Sequence, residues 1–471
     1  MKLVIIMAVI LLFSAQAQAK DIQEETFKFG SFGDIHIYRT SEQPKNVVLF
    51  ISGDGGWNLG VVDMARELAT TGALVAGIDI TQYLKALGKV KGECSYPAAH
   101  LESLSQFLQQ KYNFSTYQLP VLVGYSSGAT LVYATLAQSP PNTFLGGISL
   151  GFCPDLPLQK PLCKGSGSIS WSRDKKNSAY IFDPAKQLPA PWVAMQGLID
   201  QVCFPENTKA YIEKVGNSSV VLLPKVGHGY SVPRNWMPQF KQAFGTMTMT
   251  KADPSTSVNS SAEGKALDDL PLIELPVNKT GNQLAIIVTG DGGWAGIDKS
   301  IGEELNKEGI PVVGLNALQY YWQRKSPEQS ARDMGRIIRH YTQAWNRDTV
   351  ILIGYSRGAD VVPFMVNRLD ADARGLVKEI VVMGQEPSVD FQFHVADWLT
   401  SGNHETAKPV MPEMQQLMHQ NVLCIHGSEE KDTSLCAKLD KSEFRIVELK
   451  GGHHFGGNYR ELSAIILEHV K

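Results

Sequence analysis

The sequence predicts an α/β protein in which a doubly wound, mostly parallel sheet is built twice in tandem. The pentapeptide Gly-Asp-Gly-Gly-Trp ends an apolar run at 53–57 and again at 290–294. A second apolar run in each half ends in Gly-Tyr-Ser, with the serines at Ser126 and Ser356. Short apolar runs alternate with longer segments of helical periodicity, which is typical of parallel strands joined by helices. Because corresponding motifs lie at nearly the same separation, an internal duplication explains them better than chance.

The N-terminus has the features of a cleaved export signal. Lys2 precedes an apolar run at 3–13, and Ala17-Gln18-Ala19 matches a small-residue cleavage site. The apolar run is shorter than the ~20 residues that a membrane-spanning helix needs. We therefore expect residues 1–19 to be a signal peptide and the mature protein to be periplasmic.

The remaining chain is long enough for two domains. Between 246 and 269 the composition shifts to Thr, Ser, Asn, Ala and Lys without periodicity, which indicates a linker. The predicted domains are therefore 21–245 and 270–471. The formal net charge of −3 and the absence of a basic cluster give no indication of nucleic-acid binding.

The cysteine content agrees with an oxidising compartment. All six cysteines follow the predicted signal peptide, and none forms a Cys-x-x-Cys motif, so a zinc site is not expected. Cys424 and Cys436 are alone in the second half and are expected to pair. The other four cysteines allow three different pairings, and free buried thiols are the alternative. These four are Cys94, Cys153, Cys163 and Cys203.

The two halves carry parallel sets of elements. In the first half, strands are predicted at 46–52, 74–79, 121–123, 147–150, 192–197 and 220–223, with helices at 62–70 and 98–111. In the second half, strands are predicted at 284–289, 311–316, 350–353, 379–383, 421–425 and 445–449, with helices at 301–308, 327–342 and 361–369. Irregular segments at 153–191 and 384–413 are where substrate-facing insertions usually lie.

The two serines occupy the turn between a strand and a helix, the context of a nucleophile elbow. A serine nucleophile needs a histidine base and an acid, in the chain order Ser, Asp or Glu, His. In the first half Asp200 and His228 follow the last two strands in that order. In the second half His453 aligns with His228, because each follows a glycine after a strand. The sequence thus predicts two catalytic triads.

The acid of the second site has two candidates. Glu430 lies three residues after Gly427, as Asp200 lies three residues after Gly197. Asp432 competes because its distance from Cys436 is close to that between Asp200 and Cys203. The spacing slightly favours Glu430.

Oxyanion stabilisation needs two backbone N–H groups, one after the nucleophile and one from an early glycine-rich loop. Ser127 and Arg357 follow the two serines and are the first candidates. The glycine-rich loops supply the second candidates, which are Asp54, Gly55, Asp291 and Gly292.

Several simpler interpretations stay open. Gly-Asp-Gly-Gly-Trp is also compatible with a tight turn alone, and Asp54 and Asp291 with turn caps. The run Tyr320-Tyr321-Trp322 suits packing or a pocket wall rather than catalysis. One of the two sites is also compatible with a degenerate copy that only binds.

Taken together, three motifs carry a resemblance to a known family. Gly-Asp-Gly-Gly-Trp, Leu-Ile-Gly-Tyr-Ser-Arg-Gly-Ala-Asp and Gly-Gly-His-His-Phe, with Asp-x-x-x-Cys before the last, resemble the bacterial VirJ/AcvB virulence-protein family, best over about 280–471. The resemblance implies a periplasmic α/β-hydrolase fold and hydrolysis of aminoacyl-phosphatidylglycerol, with lysine or alanine as the aminoacyl group. It also implies Ser356 as nucleophile, His453 as base and Glu430 or Asp432 as acid, and a link to type IV secretion.

From the resemblance and the residues we expect a serine hydrolase that acts on a phospholipid headgroup, with the second domain as the main catalyst. An aminoacyl ester is an activated acyl group, so no metal or cofactor is expected. Asp291, Asp360 and Glu386 are candidates for contact with the substrate's amino group. The partners that we consider are the membrane surface, through peripheral contact, and secretion-system proteins. The rivals are a general carboxylesterase or lipase and a non-catalytic secretion accessory protein.

Overall fold

The computed structural model describes residues 21–90, 92–164, 167–249, 267–294, 296–393 and 406–470. The predicted signal peptide lies outside the described residues. Among the helices that are described, none combines the length and the apolar content needed to cross a membrane.

The first domain is built on an eight-stranded sheet. Its strands, together with those of a small three-stranded sheet, are β1 Gln23–Phe29, β2 Gly33–Arg39, β3 Asn46–Ile51, β4 Ala73–Ile78, β5 Val121–Tyr125, β6 Gly146–Leu150, β7 Asp155–Leu156, β8 Trp171–Arg173, β9 Tyr180–Phe182, β10 Trp192–Gly197 and β11 Ser218–Leu223. Its helices are α1 Gly60–Ala69, α2 Ile80–Lys89, α3 Pro97–Lys111, α4 Ser127–Gln138, α5 Pro205–Ile212 and α6 Met237–Met249. Short 3-10 turns are at Gly30–Phe32 and Pro233–Asn235.

The second domain repeats this plan on a seven-stranded sheet. Its strands, together with those of a small two-stranded sheet, are β12 Leu272–Leu275, β13 Gln283–Val288, β14 Val312–Leu315, β15 Thr349–Tyr355, β16 Val377–Met383, β17 Ser388–Val389, β18 Lys408–Pro409, β19 Val422–Gly427 and β20 Arg445–Leu449. Its helices are α7 Gly296–Lys307, α8 Ala317–Tyr320, α9 Pro327–Ala344, α10 Arg357–Asn367, α11 Ala371–Leu376, α12 Met411–Gln415 and α13 Tyr459–His469. Short 3-10 turns are at Ser428–Glu430, Cys436–Lys438 and Phe455–Gly457.

The order of the strands confirms the duplication. The first sheet runs β1-β2-β4-β3-β5-β6-β10-β11 and the second β12-β14-β13-β15-β16-β19-β20. In both sheets the last six strands are mutually parallel, and an antiparallel strand, β2 or β12, lies beside them. This is the doubly wound architecture expected of α/β hydrolases. The hairpin of β1 and β2 at the start of the first domain was not predicted.

Each sheet is covered on both faces, which explains the continuous apolar runs in the sequence. In β3, Val47 and Leu49 pack into the core on one face of the sheet, while Val48 and Phe50 pack into the core on the other. The second sheet shows the same alternation, with Leu284 and Ile286 on one face and Ala285 and Ile287 on the other. The nucleophiles therefore sit at the carboxyl ends of strands that are buried on both sides.

The two ends of the predicted linker pack with the neighbouring domains. The predicted linker is 246–269, but α6 continues through 249 because Phe244 and Met247 still face the first core. Leu267 and Leu270 already belong to the second core. Residues 250–266, the rest of the predicted linker, lie outside the described residues.

A small aromatic cluster joins the two domains. Tyr117 and Leu119 of the first domain pack with Leu318, Trp322 and Phe393 of the second. The Trp322 indole N–H donates a hydrogen bond to the carbonyl of Phe114 at 2.8 Å. Part of the Tyr-Tyr-Trp run therefore packs between domains, one of the two roles suggested by the sequence.

Three disulfides cross-link the domains internally. The expected Cys424–Cys436 pair is confirmed. The four remaining cysteines form Cys94–Cys163 and Cys153–Cys203, one of the pairings left open. Three disulfides are typical of a protein that matures outside the cytoplasm.

Candidate active sites

Both serines sit in strained turns at the carboxyl end of the middle strand. Ser126 has φ 54° and ψ −121°, and Ser356 has φ 53° and ψ −123°. Positive φ in a residue with a side chain is unfavourable and persists only where the surrounding structure enforces it. A Cβ atom on Gly124 would lie 2.2 Å from the carbonyl oxygen of Gly128, so only glycine allows the strand and helix to pack this closely. The turn holds each serine side chain clear of the sheet.

The first site contains a fully hydrogen-bonded triad. Ser126 Oγ lies 3.0 Å from Nε2 of His228. His228 Nδ1 lies 2.9 Å from Oδ2 of Asp200, and Asp200 is buried. The other carboxylate oxygen of Asp200 accepts backbone N–H bonds from Val202 and Cys203 at 2.8 and 2.9 Å. One carboxylate oxygen of Asp200 is therefore held by the backbone, and the other orients the imidazole of His228.

The second site brings its acid and base together. His453 Nδ1 lies 2.8 Å from Oε1 of Glu430, which begins the loop after β19 in the same position as Asp200 after β10. Asp432 is exposed and lies two residues further along, so the structure places Glu430 rather than Asp432 against the histidine. Among the described contacts of this site, no hydrogen bond joins His453 to Ser356. In the second triad the hydrogen bond between acid and base is therefore formed, and the one between base and serine is not among the described contacts.

A glycine with positive φ lies under each histidine ring. Gly151 has φ 66°, and a Cβ atom there would lie 3.2 Å from Cε1 of His228. Gly384 has φ 64°, and its Cβ atom would lie 2.9 Å from Cε1 of His453. Each follows the strand next to the nucleophile strand. The sequence analysis missed both glycines because a lone glycine after a strand gives no local sign of a distant histidine.

The glycine-rich loop is tied to the nucleophile turn in both domains. Ser127 Oγ donates a hydrogen bond to Oδ1 of Asp54 at 2.6 Å. In the second domain Arg357 pairs with both carboxylate oxygens of Asp291. The carboxylates therefore contact the residue after each nucleophile instead of capping a turn, which was the alternative from sequence.

In the first domain the glycine-rich loop and the nucleophile turn supply two candidate backbone donors. A Cβ atom on Gly53 would lie 3.0 Å from Cβ of Ser126, so the loop directly adjoins the nucleophile. The amide of Ser127 is the first of its helix and has no intrahelical acceptor. This amide and that of Asp54 are the candidate donors to an oxyanion. Gly55 and Gly292 lie one residue further along the two loops.

The tyrosine of each Gly-Tyr-Ser motif holds the histidine loop. Tyr125 Oη donates a hydrogen bond to the carbonyl of His228 at 2.9 Å. Tyr355 Oη does the same for His453 at 3.1 Å and lies 3.1 Å from Nδ1 of His454. Burial lowers the pKa of His454 below its ordinary value. Both tyrosines occur at the same place in the duplicated motif, a signal that could have found them.

The three acids proposed to contact a substrate amine differ in availability. Asp291 is engaged by Arg357, whose guanidinium also donates to the carbonyl of Asp390. Asp360 is buried, and burial raises its pKa well above its ordinary value. Only Glu386 is exposed.

The first site also brings together three groups of metal-ligating type. They are Asp200, Cys203 and His228. Cys203 is bound in a disulfide, and the other two are joined to each other by a hydrogen bond. The donor set therefore fits a triad and does not fit a metal centre.

Several solved structures are similar to about half of this chain. An esterase domain from Rhodothermus marinus shares 17% identity over 48% of this chain and 98% of its own, with a TM-score of 0.32. A dienelactone hydrolase from Anabaena variabilis shares 16% identity over 49% of this chain and 98% of its own, with a TM-score of 0.34. An acylaminoacyl peptidase from Pyrococcus horikoshii shares 16% identity over 51% of this chain and 44% of its own, with a TM-score of 0.36.

No curated protein sequence matches the chain. The model of one protein family, described as bacterial virulence protein (VirJ), matches residues 45–144 and 282–471, which together exceed half of the chain. The matched segments contain both nucleophile turns, and the second segment contains Glu430 and His453 as well. The duplicated fold, its two serine sites and this match lead to one conclusion: the chain belongs to the bacterial virulence protein VirJ family.

Proposed function

We propose that the protein is a periplasmic serine hydrolase that cleaves the aminoacyl ester of aminoacyl-phosphatidylglycerol. The observation that carries the proposal is the continuous hydrogen-bonded chain from Ser126 through His228 to Asp200, at 3.0 and 2.9 Å. The substrate class follows from the resemblance of the motifs to the VirJ/AcvB family. Export by a signal peptide at residues 1–19 is part of the proposal.

The geometry supports a two-step acyl transfer. His228 Nε2 takes the proton of Ser126 Oγ as the oxygen attacks the ester carbonyl, and Asp200 stabilises the imidazolium that forms. The amides of Asp54 and Ser127 receive the oxyanion. Collapse of the tetrahedral intermediate expels the glycerol hydroxyl of phosphatidylglycerol, which takes the proton from His228. Water then attacks the acyl-enzyme with the same base and releases the free amino acid.

Of the two sites, we assign turnover first to Ser126, because its triad is joined at both hydrogen bonds. The sequence pointed instead to the second domain. The second domain keeps its candidacy for a specific reason: the family match spans Ser356, Glu430 and His453, but in the first domain it stops before Asp200.

The test follows release of lysine or alanine from the two aminoacyl-phosphatidylglycerols in detergent micelles. Wild type is compared with Ser126→Ala, Ser356→Ala and the double variant. We expect Ser126→Ala to lose at least a thousandfold in turnover and Ser356→Ala to retain most of it. The reverse pattern would transfer the assignment to the second domain.

Two further outcomes address the rival functions. If wild type cleaves simple soluble esters but releases no amino acid from either lipid, the protein is a general carboxylesterase. If it cleaves no ester at all, the enzyme proposal fails. A role as an accessory to secretion-system proteins then predicts that Ser126→Ala with Ser356→Ala leaves the secretion phenotype intact.

A further inference from the structure

Exposed apolar side chains of the described residues concentrate around the mouth of the first site. Nine large hydrophobic residues are exposed in the described part of the chain, and six of them lie on loops at the carboxyl edge of the first sheet. They are 41–83% exposed. We call these six the apolar collar: Leu59, Leu198, Ile199, Val202, Phe204 and Val232.

The collar is assembled by the same loops that assemble the triad. Leu59 follows the glycine-rich loop that adjoins Ser126. The amide of Leu198 donates to the carbonyl of Leu223 at 3.0 Å, and that of Ile199 to the carbonyl of Val226 at 3.1 Å. These bonds hold the start of the acid loop against the loop that carries the catalytic histidine. The collar residues therefore lie on loops at the same edge of the sheet as Ser126, although they are far apart in the sequence.

The acid loop is held rigidly while its apolar side chains face solvent. Its backbone at Val202 and Cys203 donates to Asp200, and the disulfide from Cys203 to Cys153 ties it to the loop after β6. Exposure of Val202 and Phe204 on a cross-linked loop is thus a stable feature of the fold. Contiguous apolar patches on a soluble surface usually mark an interaction site.

The duplication supplies an internal comparison. β10 corresponds to β19, so Leu198 and Ile199 correspond to Ser428 and Glu429 of the second domain. Both of these second-domain residues are exposed and polar. The same position on the same fold is therefore apolar at one site and polar at the other. The fold itself does not require the collar.

The charges on the collar loops favour an anionic surface. Loops 54–59, 198–204 and 224–235 carry two exposed cations, Lys225 and Arg234. Their one exposed acid is Asp54, which accepts a hydrogen bond from Ser127. Apolar side chains flanked by cations suit the interface of a bilayer that contains acidic phospholipid.

We propose that the apolar collar docks the first domain on an anionic phospholipid bilayer, with Ser126 facing the lipid headgroups. The proposal rests on the proposed function, because a lipid ester presented at the membrane surface must meet the serine without leaving the bilayer. A protein partner seated on the collar would instead cover the nucleophile.

The test measures cosedimentation with vesicles of phosphatidylglycerol and phosphatidylethanolamine. The variant carries Leu198→Ser, Ile199→Ser and Phe204→Ser, none of which touches the triad. The matched control is Met418→Ser with Met249→Ser, which removes exposed apolar side chains away from the first site. We expect the collar variant to bind vesicles at least tenfold more weakly and the control to bind like wild type.

Two activity measurements separate docking from catalysis. A soluble acetyl ester should be cleaved by the collar variant within twofold of the wild-type rate, which also shows that the variant is folded. Aminoacyl lipid in vesicles should be cleaved at least tenfold more slowly by the variant. Equal vesicle binding by variant and wild type, or no binding by wild type, overturns the docking proposal. Vesicle binding without cleavage of any aminoacyl lipid leaves docking in place and removes the proposed substrate.

Discussion

At the scale of single residues, the two halves use the same side chains to align the same parts. The phenol of Tyr125 bonds to the carbonyl of His228, and the phenol of Tyr355 bonds to that of His453. This bond fixes the backbone that carries the base, while the bond from Asp200 or Glu430 fixes the ring. Alignment of the base thus depends on a residue that touches neither the substrate nor the proton.

Replacing Tyr125 with phenylalanine tests this positioning role. Loss of one hydrogen bond, worth about 1 kcal/mol, should lower kcat three- to tenfold through misalignment of His228. KM should change less than twofold, because the phenol does not face the substrate. Steady-state kinetics on a soluble ester measure both constants. A change in KM with kcat unaltered would contradict the positioning role. The control is Tyr341→Phe, which removes a phenol that bonds to Glu274 in the second domain.

At the scale of elements, the disulfide Cys153–Cys203 connects the loops after β6 and β10. The first loop carries Gly151 under the histidine ring, and the second carries Asp200. The disulfide Cys94–Cys163 closes a loop of similar length but is remote from the triad in the contacts described. Comparing the removal of each disulfide therefore distinguishes an effect on stability from an effect on the alignment of the active site.

Removing either disulfide by paired Cys→Ala changes should lower the free energy of unfolding by about 4 kcal/mol, as expected for loops of this length. Only removal of Cys153–Cys203 should also lower kcat on a soluble ester at a temperature where both variants are folded. Denaturant unfolding and initial rates provide the two measurements. Equal losses of kcat in both variants would show that Cys153–Cys203 has no special role in the site.

The helix α3 carries a carboxyl group with an unusual titration. Burial raises the pKa of Glu102 from about 4.5 to about 8. The folded state therefore favours the protonated form. Its stabilising effect is complete below pH 4.5 and falls as the pH rises towards 8, because the unfolded chain loses the proton first.

Glu102→Gln should remove this pH dependence. The Tm of wild type should fall relative to that of the variant between pH 5 and pH 8, and the difference should be constant above pH 8. Thermal unfolding of both proteins across this range measures the effect, and histidine titrations cancel in the comparison. A difference in Tm that is the same at pH 5 and pH 8 would contradict the raised pKa.

At the scale of the whole molecule, two similar domains meet through the cluster around Trp322. Its ring centroid lies 5.2 Å from that of Tyr117 and 5.8 Å from that of Phe393. The indole N–H bond to Phe114 adds a polar contact to this apolar junction. The domains are thus coupled by a contact that belongs to neither core.

Trp322→Ala should weaken the coupling between the domains. Deleting a buried tryptophan typically costs about 3–5 kcal/mol. We expect the calorimetric unfolding of wild type to be one transition and that of the variant to split into two, one for each domain. Hydrolysis of a soluble ester at the first site should persist in the variant. A single transition shifted to lower temperature would show that the domains are coupled elsewhere.

Much of the fold follows from local patterns. The helices predicted at 98–111 and 327–342 are observed at Pro97–Lys111 and Pro327–Ala344. The parallel strands were also predicted correctly, because a short buried apolar run between two helices has few conformations other than a strand. The hairpin of β1 and β2 was missed because its first strand, Gln23–Phe29, is mostly exposed and polar. Its pairing with β2 decides its conformation, and that partner is not visible in a local window.

The sequence by itself determined the duplication, the strained serine turns and the order of serine, acid and histidine. These features are encoded within short windows by apolar periodicity and by glycines that allow close packing. Only the tertiary structure decided that Glu430 rather than Asp432 contacts His453, and that Asp54 contacts Ser127. It also decided the disulfide pairing in the first domain and the convergence of the apolar collar. The physical reason is common to all of these: each joins loops that are distant in the chain and meet only because parallel strands bring their carboxyl ends to one edge.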